Sequence, residues 1–115
     1  MGNDIHTPKM KGMEHVAIAY NGGKELPYFE QTLYFELYNL MFGKKVRKMM
    51  LSLPDSRLST SISTLQDVRA DVVICRGFAP HALHDLKKAG IKCLTFEGST
   101  KAALRAYMEG KLEEL

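Results

Sequence analysis

The chain contains three short apolar runs, and each is bounded by glycine or polar residues. Residues 15–20 read HVAIAY, residues 71–75 read DVVIC and residues 91–96 read IKCLTF. Runs of this length without regular polar alternation are typical of strands that are buried on both faces of a sheet. The pattern therefore predicts three interior strands.

A second strand pattern lies between the first two of these runs. Residues 32–40 alternate, with Leu33, Phe35 and Leu37 on one face and the tyrosines and Glu36 on the other. Residues 45–53 continue as a strand after a short break that contains Gly43. Alternating strands around a glycine turn predict a β-hairpin.

Helical spacing appears in the remaining segments. A Ser/Thr-rich stretch has apolar residues at Leu58, Ile62, Leu65 and Val68. A second helix is predicted from Pro80, a residue suited to a first helical turn, to a stop at Gly90. A third is predicted after a cap at Ser99 or Thr100 and ends near Gly110.

The predicted order is β-β-β-α-β-α-β-α, which favours an α/β fold with a mixed five-stranded sheet. Strands that are joined by helices run parallel, and right-handed crossovers place the strand at 15–20 in the middle, beside the strand at 71–75. Length and composition fit a single domain, which we expect to span residues 14–115 after a polar leader at residues 1–13.

Charge and cysteine content narrow the class of protein. The net charge is only +3, and the four clustered basic residues at positions 44–48 would be divided between two faces of a strand, so the pattern disfavours a nucleic-acid partner. Two cysteines do not form a disulfide framework, and the apolar runs are too short to span a membrane. We expect a cytoplasmic protein, and the oligomeric state is open.

Three loops, at residues 21–24, 76–80 and 97–100, are expected to meet at the carboxyl ends of the parallel strands, where ligands of open α/β sheets gather. Two of them lead into helix N-termini, which attract anions, and Lys24 and Arg76 add positive charge. The glycines suit close approach to a ligand, but they also suit short connections that need glycine for geometry alone. The candidate ligand-binding residues are Asn21, Gly22, Gly23, Cys75, Arg76, Gly77, Phe78, Pro80, His81, Gly98 and Ser99.

Cysteine and histidine supply the candidate metal chemistry. Cys75, His81, His84 and Cys93 do not have the spacing of a structural zinc site, and Cys93 has the position of a small residue packed within a strand. Cys75 and His81 bracket the loop after the strand, so a thiolate there, favoured by the helix dipole and Arg76, and an imidazole could bind a soft metal. The same residues also fit a buried thiol beside a surface histidine.

Residues 70–112, ADVVICRGFAPHALHDLKKAGIKCLTFEGSTKAALRAYMEGKL, resemble the dinitrogenase iron–molybdenum cofactor biosynthesis family. The shared features begin with a strand and a glycine-containing turn, after which a proline opens a helix. The sequence AGIK follows, then a Gly-Ser pair that caps the last helix, and finally an alanine-rich helix that ends with tyrosine and glycine. HVAIAYNGG and the aromatic segment PYFEQTLYFELYNLMFGKKV resemble the first half of the family more loosely. The resemblance covers residues 14–112.

The resemblance implies a three-layer ribonuclease H-like fold. It also implies non-catalytic binding or carriage of an iron–sulfur or iron–molybdenum cluster, or its precursor, with cluster-assembly proteins as partners. Two departures remove family ligands: Tyr28-Phe29-Glu30 stands in place of His-Phe-Gly, and SRLSTSIST in place of a His/Gly-rich stretch. An alternative is a regulatory domain that binds a small anion and has lost its cluster ligands. A nuclease of this fold is disfavoured, because two-metal chemistry needs clustered carboxylates and the first strand has none beyond Glu14.

Overall fold

The computed structural model describes residues 12–55 and 57–115, so most of the expected leader lies outside the described residues. Within these residues, five strands and three helices follow one another. They are β1 (Met13–Tyr20), β2 (Tyr34–Met41), β3 (Lys44–Ser52), α1 (Leu58–Asp67), β4 (Val72–Cys75), α2 (Pro80–Lys88), β5 (Lys92–Thr95) and α3 (Thr100–Met108), with a 3₁₀ turn at Phe29–Gln31 between β1 and β2.

The strands form one sheet in the order β3-β2-β1-β4-β5. β1 pairs antiparallel with β2 and parallel with β4, and β5 pairs parallel with β4. β2 and β3 form the antiparallel hairpin. The mixed five-stranded α/β sheet predicted from the sequence is therefore confirmed.

Helices cover both faces of this sheet and create two cores. On one face, Leu65 of α1 and Leu86 of α2 pack with alternate residues of the strands, among them Ala17 and Val73. On the other face, Leu104 of α3 packs with the intervening residues, such as Ile18. Because β1 and β4 contribute to both cores, they carry apolar residues without alternation.

Local signals in the sequence explain where the later helices begin. Pro80 occupies the first turn of α2, where its missing N–H costs no helical hydrogen bond. Ser99 caps α3, and its hydroxyl accepts a hydrogen bond from the backbone N–H of Ala102 at 3.1 Å. None of the helices in residues 12–55 and 57–115 is long and apolar enough to cross a membrane.

The edge strand β3 departs from simple alternation. Asn39 pairs with Arg47, but Leu40 pairs with Lys45, so Val46 forms a β-bulge. The bulge brings Lys45 onto the face of Lys48, and the ammonium groups of both lie 5.8 Å from the ring centroid of Tyr38. The four basic residues at positions 44–48 are divided between two faces, as expected, but the bulge places Lys45 with Lys48 and leaves Lys44 with Arg47.

Candidate functional site

The three candidate loops follow β1, β4 and β5. Since these strands are parallel neighbours, their carboxyl ends lie at one edge of the sheet. The loop after β4 begins at Arg76 and leads into α2, and the loop after β5 leads into α3. We call this region the carboxyl edge.

Residues 25–31, which we call the cover segment, lie across the carboxyl edge. The backbone N–H of Leu26 donates to the carbonyl oxygen of Gly98 at 2.8 Å, and that of Phe29 donates to Gly77 at 2.9 Å. In return, the N–H of Arg76 donates to the carbonyl of Pro27 at 3.0 Å. Leu26 and Phe29 are buried and anchor the segment. The loops after β4 and β5 are therefore bridged by backbone hydrogen bonds to the cover segment.

The sequence contained one signal for this cover. Leu26 and Phe29 are large apolar residues in a connection between strands, and the ring centroid of Phe29 lies 6.1 Å from that of Phe35 and 5.7 Å from that of Phe78. The candidate ligand residue Phe78 therefore packs against the cover segment.

Asn21 closes the loop that contains the cover segment. Its side-chain N–H donates to the carbonyl of Gln31 at 2.7 Å, and its oxygen accepts from the N–H of Leu33 at 2.6 Å. Gly22, Gly23 and Lys24 are exposed beside it. Both the nitrogen and the oxygen of the Asn21 side-chain amide thus form hydrogen bonds that hold this loop in place.

The N-terminus of α2 already contacts a carboxylate. Glu30, in the cover segment, accepts a hydrogen bond from the backbone N–H of Ala79 at 2.7 Å. Ala79 is the residue that precedes Pro80 at the start of α2, so Glu30 lies where the helix dipole favours negative charge. The sequence pattern predicts an external anion at this terminus, and no local feature of the pattern identifies Glu30 as its partner.

Arg76 is the principal cation of the carboxyl edge. Its guanidinium lies over the ring of Tyr28 at 5.6 Å, and its Nε donates to the tyrosine hydroxyl at 3.2 Å. One terminal nitrogen lies 3.3 Å from a Glu25 oxygen and the other 3.8 Å from Glu97. The hydrogen bond to Tyr28 and the nearby carboxylates raise the pKa of Arg76 above its ordinary value. Sequence reasoning identified Arg76 but not its three partners.

Aromatic rings explain two of the glycines. A Cβ atom at Gly77 would lie 2.9 Å from the ring of Tyr28, and one at Gly98 would lie 2.8 Å from the ring of Phe96. Gly98 also has a φ of +142°, which side chains rarely adopt. Gly77 and Gly98 therefore allow the rings of Tyr28 and Phe96 to pack closely against the backbone.

Cys75 does not have the environment expected of a metal-binding thiolate. It is fully buried in the core beneath α2, and this burial, together with the nearby Cys93 and Glu30, raises the pKa of its thiol well above the ordinary value. The prediction that the helix dipole and Arg76 favour its thiolate is wrong, because desolvation penalises the charged form more strongly. Cys93 is buried as expected, and burial raises its pKa to about 11.

His81 lies on the exposed surface of α2. The pair proposed as soft-metal ligands is therefore divided between the buried core and the solvent. Within residues 12–55 and 57–115, no group of three or more His, Cys, Asp and Glu side chains is arranged to hold a metal ion. The described residues thus do not fit a metal centre ligated by Cys75 and His81.

No protein-family model matches this chain, and no curated protein matches its sequence. Its structure is similar to that of a protein from Methanocaldococcus jannaschii provisionally named a dinitrogenase, with 20% identity, a TM-score of 0.74 and coverage of 92% of this chain and 97% of the other. A Thermotoga protein of the DUF35 family, provisionally named a NifB protein, has 24% identity, a TM-score of 0.67 and coverage of 89% and 93%.

The apo form of the orange protein from Desulfovibrio gigas is also similar, with 19% identity and a TM-score of 0.72 over 90% of this chain and 93% of the other. At these identities the likeness establishes a shared fold. The match extends over nearly the whole of each chain, so the fold is shared as a complete unit.

Proposed function

We propose that this chain is a non-catalytic carrier of an anionic metal–sulfur cluster, either iron–sulfur or iron–molybdenum, or of a precursor of such a cluster. The observation that carries the proposal is the whole-chain similarity to structures named as a dinitrogenase, a NifB protein and the orange protein. The sequence resemblance over residues 14–112 supports the same family and its ribonuclease H-like fold. Proteins of cluster assembly would then be the donors and acceptors of the cargo.

The cargo is held, in this proposal, by charge and hydrogen bonds rather than by a thiolate. Metal–sulfide clusters are anionic, and hydrogen bonds to their sulfur atoms stabilise them. Arg76 supplies guanidinium N–H donors at the carboxyl edge, where its side chain is 34% exposed. Its partners Glu25 and Glu97 have side chains that are 65% and 76% exposed, so both can turn toward water when an anion displaces them.

Cys75 has no direct role in this account. Its burial and raised pKa make it a packing residue, so the cargo contacts Arg76 without a covalent bond to the protein. A cluster held in this way could be passed to an acceptor without breaking a metal–thiolate bond. Such release suits a carrier better than a permanent cofactor site.

A second candidate is a regulatory domain that binds a small anion. The observation that favours it is the same Arg76 cluster, which could exchange Glu25 and Glu97 for phosphate or sulfate. It differs from the first candidate in that no metal would be bound.

Anaerobic reconstitution separates these candidates. The purified protein is treated with ferrous iron and sulfide, or with tetrathiomolybdate, and its iron, molybdenum, sulfide and visible absorption are then measured. We expect wild type and Cys75→Ser to load equally and Arg76→Gln to load poorly. Arg57→Gln is the matched control, because Arg57 is an exposed arginine that is paired with a different carboxylate, Asp55.

If Cys75→Ser keeps its fold but no longer binds metal, the proposed contact through Arg76 is contradicted. The hypothesis that the Cys75 thiolate is a ligand would then be favoured again. If no variant acquires metal but wild type binds inorganic phosphate through Arg76, the small-anion function is favoured instead.

A further inference from the structure

A second concentration of positive charge lies away from the carboxyl edge, between α3 and the start of β3. A surface groove of about 370 Å³ is lined there by Lys45, Lys101, Leu104, Arg105, Met108 and Glu109. We call it the basic groove. Its volume lies within the range of small-molecule sites.

The groove depends on the β-bulge in the edge strand. In a regular ladder, Leu40 would pair with Val46, whereas the bulge places Lys45 there and directs it to the face covered by α3. Bulges commonly redirect a side chain in this way next to functional sites. The result is that cations from two distant segments of the chain face one space.

The cations of the groove lack the partners that balance Arg76. Among the described residues, none of Lys45, Lys101 and Arg105 is paired with a carboxylate, and the ammonium of Lys45 lies over the ring of Tyr38. Glu109 is the one acidic residue of the lining, and it is paired with Lys111 at 3.0 Å. The three cations of the lining therefore have no ion-pair partner among the described residues, and the lining keeps a net positive charge.

The wall between these cations is apolar. Leu104 is nearly buried, and Met108, one turn further along α3, is 42% exposed. Lys101 and Arg105 are also one turn apart on that helix, so charge and apolar surface run side by side. A ligand that matches the groove needs a compact, multiply charged anionic group joined to an apolar body.

We propose that the basic groove binds a phosphate ester with an apolar body. A phosphate carries close to two negative charges and three acceptor oxygens, which matches three cations better than a single carboxylate does. The guanidinium of Arg105 can bind two phosphate oxygens at once. The ester could be a free metabolite or the headgroup of a lipid, and the groove recognises the chemistry that they share. This site has no residue in common with the Arg76 cluster and does not depend on the proposed function.

The test uses 2-naphthyl phosphate as a probe, with ¹H–¹⁵N NMR spectra of the full chain. We expect saturable shifts at the amides of α3 and of residues 44–46. The double variant Lys101→Gln/Arg105→Gln should weaken binding at least about tenfold, or about 1.4 kcal/mol. Lys87→Gln/Lys88→Gln removes two exposed charges from α2 and should bind as wild type does. The spectra of the free variants establish that each one folds.

Three further probes define the ligand class. Inorganic phosphate and 2-naphthoate should each bind more weakly than 2-naphthyl phosphate, and Met108→Ser should weaken the ester but not inorganic phosphate. Vesicles containing phosphatidic acid test the lipid source: sedimentation of wild type but not of Lys101→Gln/Arg105→Gln would identify a headgroup.

Equal affinity in the groove and control variants would overturn the proposal. So would equal affinity for inorganic phosphate or naphthoate and the ester, or the absence of binding to both the ester and the vesicles.

Discussion

The carboxyl edge and the basic groove both contain arginine, but they differ in what surrounds it. At the edge, Arg76 is stacked on Tyr28 and contacted by two carboxylates, and Glu30 contacts the N-terminus of α2. In the groove, Lys101 and Arg105 have no carboxylate partner among the described residues. An anion must therefore displace protein groups at the edge, whereas the groove offers charge that is not yet balanced.

This difference has a consequence for specificity. A ligand of the edge gains only the surplus of its interaction over those of Glu25 and Glu97, so a weak or singly charged anion gains little. A cargo with several negative charges can interact with Arg76 more strongly than Glu25 and Glu97 do. In the groove the carboxylate of Glu109 is paired with Lys111 rather than with Lys101 or Arg105, and selectivity rests on the apolar wall beside the charges.

The largest expected effect comes from removing the anchor of the cover segment. Phe29 is 2% exposed and packs against two other phenylalanine rings, so Phe29→Ala should lower the free energy of unfolding by about 3–5 kcal/mol. Urea denaturation measures this change. Phe42→Ala is the control, because Phe42 is 74% exposed and should change stability by only about 0.5 kcal/mol. Equal costs for the two variants would mean that the cover segment is not anchored at the edge.

A smaller effect is expected where Tyr28 crosses Gly77. Gly77→Ala places a Cβ 2.9 Å from the tyrosine ring and should cost about 1–3 kcal/mol through overpacking. Gly23→Ala is the control, since a Cβ there meets nothing within 4 Å. Adding Tyr28→Ser to Gly77→Ala should recover part of the loss, and a strictly additive double variant would argue against the contact.

The buried thiol predicts a dependence of stability on pH. The pKa of Cys75 is raised in the folded protein, so the unfolded chain ionises first as the pH rises above about 9. Stability is then full below that pH and falls above it, by up to about 1.4 kcal/mol per pH unit for this group. The stability advantage of wild type over Cys75→Ala should therefore shrink between pH 8 and pH 10. Parallel curves would indicate an exposed or already ionised thiol.

The smallest effects compare the cations of the two regions directly. Arg76→Gln removes a partly exposed, paired charge and should lower the stability of the protein slightly. Lys101→Gln relieves the repulsion by Arg105 one turn away, at the helix end where the dipole disfavours a cation, and should stabilise the protein by about 0.2–0.5 kcal/mol. Thermal unfolding at low salt measures both. Effects of the same sign would remove the distinction between a paired edge and an unpaired groove.

Periodicity predicted the sheet because burial on two faces leaves a direct mark on the sequence. The unbroken apolar run from Val16 to Ala19 occurs because alternate residues face different helices. The crossover rule then placed that strand at the centre, between β2 and β4. Pro80 and Ser99 marked helix starts because their chemistry acts within one turn.

The candidate site was less predictable, because its contacts join residues far apart in the chain. Cys75 has the same identity whether it is buried or exposed, and only tertiary packing decided its pKa. Glu30 contacts Ala79 across 49 residues, and Arg76 contacts Glu25 across 51. The position of Lys45 depended on a bulge at Val46, which no local residue pattern signalled.

The most direct test of the central proposal is a titration of the anaerobic protein with tetrathiomolybdate, followed by NMR at the side-chain Nε of Arg76. An anionic cargo that displaces Glu25 and Glu97 should shift this signal saturably, together with the amides of Gly77 and Gly98. Cargo that binds while these signals stay in place, or no binding at all, would contradict the proposed carriage at Arg76.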